Sequence, residues 1–184
     1  MRRSALVVLL VFCCALFLAA QMPAVAPSQS VAPSQSKDNA GPAKATTIFL
    51  VRHAEKTGPS GDVELSEAGM KRAECLARTL ADANLQAIYT TEFKRTKATA
   101  APSAAKAQVT PTVIPGADMA GLLAALRKED GRTALVVGHS NTVPKVIEEL
   151  GGGTVTIKDD EYDRLFVLTL RDGKASLVSL RYCD

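Results

Sequence analysis

The chain has no tryptophan, and aromatic residues make up only 4% of it. Proteins that grip single-stranded nucleic acid by stacking bases on aromatic side chains need more of them, so no nucleic-acid partner is expected. Charge of one sign is also missing. The formal net charge is +3, and without Arg2 and Arg3, two positive charges fewer, it is +1. That balance provides no broad basic surface for a polyanion, so any anion recognition has to be local. Histidine is scarcer still, with two residues in the chain. A two-metal hydrolytic centre draws on several histidine and carboxylate ligands, and no metal and no organic cofactor are expected here. Of the four cysteines, Cys75 and Cys183 lack the ligand spacing of a zinc site. They are read as two separate, unreactive thiols, although an exported protein is free to form a disulfide.

The N-terminus does not read as part of a fold. Arg2 and Arg3 precede an uninterrupted apolar stretch from Ala5 to Ala20, shorter than the roughly 20 residues of a spanning helix. This is the pattern of a secretory signal peptide, with Ala19-Ala20 or Ala24-Val25-Ala26 as the cleavage site, and residues 1–26 are assigned to it. Left uncleaved, the same stretch would attach the protein to a membrane. Phe12 stands before Cys13 where lipoprotein processing wants a small residue. Next, Val25-Ala26-Pro27-Ser28-Gln29-Ser30 is repeated at once as Val31 to Ser36. Residues 27–44 cannot bury enough apolar surface to fold and are read as a disordered tether. The folded domain is expected over residues 45–184, in a protein exported to a periplasmic or extracellular location.

Within the domain, apolar patterning alternates between strand and helix. Thr46 to Val51, Gln86 to Thr90, Val109 to Ile114 and Thr133 to Val137 read as strands, the third at an edge because of Pro111. Ser66 caps a helix running to about Ala83, with Ala73, Leu76, Ala77 and Leu80 on its buried face. Glu92 to about Ala107 is helical, kinked or divided at Pro102. Met119, Leu122, Leu123 and Leu126 mark a third helix. Val143, Val146, Ile147 and Leu150 mark a fourth, with Pro144 in its first turn and Gly151-Gly152-Gly153 at its end. Leu165 to Leu170 and Ala175 to Leu180 flank Asp172-Gly173, a two-residue hairpin signal. The order implies a three-layer α/β/α domain whose mostly parallel central sheet is closed by an antiparallel C-terminal hairpin.

The two histidines occupy matching places. His53 follows the first strand directly after Arg52, and His139 follows the fourth directly after Gly138. In open α/β sheets, ligands bind just beyond the carboxyl ends of strands, so the pair suggests a single site. Arg95 lies near the start of the helix that follows the second strand. Arginines match phosphate oxygens with paired donors and stay charged, and the helix after His139 offers its N-terminal N–H groups. One imidazole can attack phosphorus and carry a covalent phosphoryl group while the other supports the anion.

These residues resemble the histidine phosphatase (phosphoglycerate mutase-like) superfamily, its small single-domain phosphatase branch. The likeness rests on Arg52-His53-Ala54-Glu55-Lys56, on Leu65-Ser66-Glu67-Ala68-Gly69, on Arg95-Thr96-Lys97-Ala98-Thr99-Ala100 and on Gly138-His139-Ser140-Asn141-Thr142, in that order. It implies His53 as nucleophile, with Arg52, Arg95 and His139 around the phosphoryl oxygens. The family's usual glycine after Arg-His is Ala54 here, and the Ser and Asn of the sugar-phosphate mutases are missing, which counts against a phosphoglycerate mutase-type phosphotransferase. For the proton donor, Asp118 and Glu55 stand as alternatives, Asp118 also reading as a helix N-cap and Glu55 as a carboxylate orienting Arg52 or Lys56. The expected activity is metal-independent hydrolysis of phosphomonoesters or phosphoramidates through a phosphohistidine intermediate. The partner would be a phosphorylated small molecule, envelope glycan or phosphoprotein. A non-catalytic phosphate-sensing module of the same fold is the alternative from another class.

Overall fold

The computed structural model describes residues 44–183; the expected signal peptide, and the expected tether up to residue 43, lie outside the described residues. The elements run β1 (Thr46–Arg52), α1 (Glu67–Thr79), β2 (Ala87–Thr90), α2 (Lys94–Ala107), β3 (Thr112–Val113), α3 (Met119–Arg127), β4 (Thr133–Gly138), α4 (Thr142–Glu149), β5 (Arg164–Arg171) and β6 (Lys174–Arg181). They build one six-stranded sheet in the order β3-β2-β4-β1-β5-β6. The pairs among β1 to β4 are parallel, whereas β5 runs antiparallel to β1, and β6 to β5.

Strands buried on both faces read as continuous apolar runs, and β1 and β4 show why. Ile48 and Leu50 with Ala134 and Val136 face one helical layer, packed with Leu123 and Leu126 of α3 and Val143, Val146 and Ile147 of α4. Val51, Leu135 and Val137 face the other, packed with Leu76 of α1 and with Ala100 and Ala104 of α2. The result is the α/β/α arrangement the sequence implies.

Most element ends follow local chemistry. Ser66 caps α1, its Oγ accepting the Gly69 N–H at 3.1 Å. The helix stops at Thr79, short of Ala83, and the chain turns through Asn84, whose φ is 50°. Pro102 does not divide α2, which is unbroken from Lys94 to Ala107; its neighbours Ala100, Ser103 and Ala104 are buried and hold it in place. β3 shrinks to two residues at the sheet edge, just after Pro111. In the hairpin, Asp172 and Gly173 have φ of 52° and 71°, the doubly left-handed turn that an Asp-Gly pair accommodates.

The tail corrects the reading of the cysteines. Tyr182 is buried against the α1/α2 layer, and the next residue, Cys183, is disulfide-bonded to Cys75 of α1 across a sequence separation of 108. The expectation of separate thiols fails because nothing in the sequence shows that β6 delivers the C-terminus to α1. A link over so long a stretch removes much freedom from the unfolded chain. The Cys75→Ser, Cys183→Ser double variant is therefore expected to lose about 2–5 kcal/mol of stability. Urea unfolding of oxidised, reduced and double-variant protein checks this, and coincident midpoints would show that the link contributes nothing.

Candidate active site

The site begins with the register of two strands. Arg52 lies opposite Gly138, and one residue further on, His53 donates its N–H to the Gly138 carbonyl at 2.9 Å. The two histidines therefore leave the sheet side by side, with ring centroids 5.3 Å apart and planes at 66°. A side chain at position 138 would not fit: a Cβ there would lie 2.7 Å from Thr142 Oγ1, the oxygen that accepts the His139 N–H at 2.8 Å.

Hydrogen bonds fix both imidazole tautomers. His53 Nδ1 is 2.8 Å from the Ala54 carbonyl. A carbonyl only accepts, so Nδ1 carries the proton and Nε2 keeps its lone pair. His139 Nε2 is 3.0 Å from Thr91 Oγ1, which is 2.9 Å from Thr96 Oγ1. Thr96 Oγ1 in turn donates to the Phe93 carbonyl at 2.8 Å. With its single proton committed there, Thr96 accepts from Thr91, and Thr91 accepts from His139. Hence Nε2 of His139 carries a proton, and its Nδ1 is the free nitrogen. Both rings are neutral at pH 7. Burial is the main cause that lowers each pKa to about 4, and the positive charge of Arg95 adds to it. For His53, the nearby His139 and Arg52 lower it further.

Two arginines flank the rings, each stacked on an aromatic side chain. The Arg52 guanidinium sits 4.2 Å from the Tyr162 ring centroid and donates to the carbonyls of Lys158 and Asp159 at 3.0 and 2.9 Å. Arg95, in the first turn of α2, lies 4.3 Å from the Phe93 ring centroid and donates to the Gly61 carbonyl at 3.2 Å. Phe93 also meets His139 edge-on at 5.3 Å. The Nε–H groups of both arginines are buried without a protein partner. Buried donors are normally satisfied, and two orphaned guanidinium donors beside two imidazoles suit an anion.

The open cleft here has a volume of about 450 Å³ and is lined by His53, Arg95, His139, Phe93, Asn141 and Glu92, among others. Arg52 does not line it; its guanidinium is turned toward the 158–162 segment and Tyr162. The two carboxylates proposed as proton donors are held elsewhere. Asp118 caps α3, its Oδ1 accepting the Gly121 N–H at 2.8 Å. Glu55 is paired with Arg72, whose Nε–H is shared between its two carboxylate oxygens at 2.8 and 3.0 Å and whose Nη2 lies 2.8 Å from Oε1, so its partner is neither Arg52 nor Lys56. Arg72 also donates to the Cys183 carbonyl at 2.8 Å, and its hydrogen bond to Glu55 raises its pKa.

The carboxylate that does line the cleft, Glu92, escaped the sequence reading, which took Glu92 only as a helix start. The available signal was its place two residues past the end of β2, at the same sheet edge as the histidines. The Leu-Ser-x-x-Gly stretch also gains a physical reason. A Cβ on Gly69 would lie 2.1 Å from the Glu55 carbonyl oxygen, so only glycine lets α1 approach the backbone beside His53. The methyl of Ala54, by contrast, is buried with Leu65 and Ala73.

The Histidine phosphatase superfamily (branch 1) profile matches residues 48–118. No curated protein matches the chain. Among solved structures, the protein histidine phosphatase SixA complexed with tungstate is similar over 73% of this chain and 96% of its own, at 18% identity and a TM-score of 0.60. A mycobacterial glucosyl-3-phosphoglycerate phosphatase is similar over 75% and 98% at 14% identity, with a TM-score of 0.57. Both are likenesses of fold.

The imidazoles give a direct prediction. Nitrogen-15 NMR should find His53 protonated on Nδ1 and His139 on Nε2 at pH 7, each titrating near pH 4. Because the native pKa lies below the unfolded value of 6.5, the unfolded chain binds protons first. Stability should then be greatest above pH 6.5 and fall as the pH drops through the window down to about 4. A midpoint near 6.5 for either ring would refute this electrostatic description.

Proposed function

We propose, for a chain whose folded domain belongs to the histidine phosphatase superfamily, that this cleft hydrolyses phosphomonoesters or phosphoramidates through a phosphohistidine on His53. The observation that carries the reading is the unprotonated Nε2 of His53, beside a second imidazole and two arginines with unsatisfied Nε–H donors. In the first step Nε2 attacks phosphorus and the bond to the leaving group breaks. Arg95, which lines the cleft, holds the phosphoryl oxygens as negative charge redistributes, Arg52 adds positive charge from beside it, and their preset positions spare the reaction a reorganisation cost. In the second step water attacks the phosphohistidine, and the electron pair of the P–N bond returns to Nε2. The arginines supply the positive charge that a metal ion would otherwise bring.

The disulfide supports an exported enzyme. Such bonds persist in oxidising compartments and are rare in the cytosol, which agrees with the signal-like residues 1–26. The substrate is then a phosphorylated small molecule, an envelope glycan or a phosphoprotein outside the cytoplasm. A leader left uncleaved would hold the enzyme at the membrane. The similar solved structures named above are described as a protein histidine phosphatase and a glucosyl-3-phosphoglycerate phosphatase.

Three outcomes follow with p-nitrophenyl phosphate as substrate. His53→Ala should abolish turnover. Arg95→Lys should lose well over tenfold in rate while staying folded. Lysine lacks the planar fork, and a lost donor to a developing anion costs about 3 kcal/mol. Activity should survive EDTA. Substantial turnover by His53→Ala would end the mechanism, and EDTA inactivation reversed by a divalent ion would replace it with a metal-dependent one.

A further inference from the structure

We propose that Glu92 is the general base of the second half-reaction, taking a proton from the water that hydrolyses the phosphohistidine. The inference rests on the phosphohistidine reading above and adds to it the group that activates water. Glu92 follows the end of β2 and lines the cleft with His53, Arg95 and His139; it is the one carboxylate there. Neither Asp118, which caps α3, nor Glu55, which is paired with Arg72, lines it. Glu92 is held in place without being used up. Its Oε2 accepts the Gly116 N–H at 2.7 Å, and no other residue among those described donates a hydrogen bond to Oε1.

The same bond sets its protonation state. The Gly116 N–H is the main cause holding the Glu92 carboxyl below the usual carboxylate range, its own backbone N–H is the next, and the positive charge of Lys97 acts in the same direction. Glu92 is therefore ionised at neutral pH. It has no proton to give a leaving alkoxide, but it can receive one from water. As the water oxygen bonds to phosphorus, one water proton passes to Oε1 of Glu92, the P–N bond breaks, and its electron pair returns to Nε2 of His53. Inorganic phosphate leaves and the carboxyl releases its proton to solvent. His53 cannot take this role, because its Nε2 carries the phosphoryl group.

Glu92→Gln separates base from anchor, because the amide oxygen still accepts the Gly116 N–H. In rapid-quench experiments on the full chain with p-nitrophenyl phosphate, the variant should release its first equivalent of nitrophenol at close to the native rate. Steady-state turnover should then fall on the order of a hundredfold, the usual reach of a general base, and phosphorylated His53 should accumulate toward one per chain. In Glu92→Ala, added formate should speed breakdown of the phosphoenzyme. Native turnover by Glu92→Gln would overturn the assignment. So would a burst and steady state that fall together without phosphoenzyme build-up, or no effect of formate. A different failure, hydrolysis by the native enzyme with no phosphohistidine in either protein, would instead remove the covalent mechanism on which the assignment rests.

Discussion

The site depends on one constraint, the in-register parallel pairing of β1 with β4. Parallel strands lie about 4.8 Å apart, and the His53–His139 centroid distance of 5.3 Å is that spacing carried past the strand ends. The register is set by the core. Ile48 and Leu50 must face α3 and α4 while Val51 faces α1 and α2, and a slip of one residue would turn each to the wrong layer. Burial energy spread over both faces thus fixes the position of two side chains that contribute little to it. The hydrogen bond from His53 N–H to the Gly138 carbonyl extends the ladder by one step and delivers the rings together.

That placement costs the imidazoles their charge and so makes them useful. Burial and the flanking arginines oppose protonation of both rings, leaving His53 with a lone pair at neutral pH. The arginines are kept apart from carboxylates: Arg52 leans on backbone carbonyls and Tyr162, Arg95 on a carbonyl and Phe93. Their charge is left for a ligand. Around this sits a supporting frame. Glu55, two residues from His53, is clamped by Arg72, which also holds the tail carbonyl of Cys183, and Cys183 is bonded to α1. The C-terminus is in this way tied to the loop beside His53.

Much of this was legible in the sequence, for identifiable reasons. The apolar runs of β1 and β4 and the Asp172-Gly173 turn are local signals and gave their elements directly. The histidines stood out because there are only two and each ends such a run. What failed depends on distant partners. Nothing near Cys75 or Cys183 shows that they meet. The Arg72–Glu55 pair spans 17 residues and links a helix to a loop. Pro102 reads locally as a break, yet tertiary packing keeps α2 whole. Glu92 was hidden by a motif read for its arginine, and its role as a site residue rests on Gly116, 24 positions away.

The most direct test of the account is to find where phosphate becomes attached. Native protein mixed with an aryl phosphate, quenched under alkaline conditions that preserve phosphoramidates and mapped by mass spectrometry and phosphorus-31 NMR, should carry one phosphoryl group on Nε2 of His53. A phosphoryl group on His139, on Nδ1 of His53 or on any hydroxyl would contradict the tautomer and geometry from which the mechanism was built.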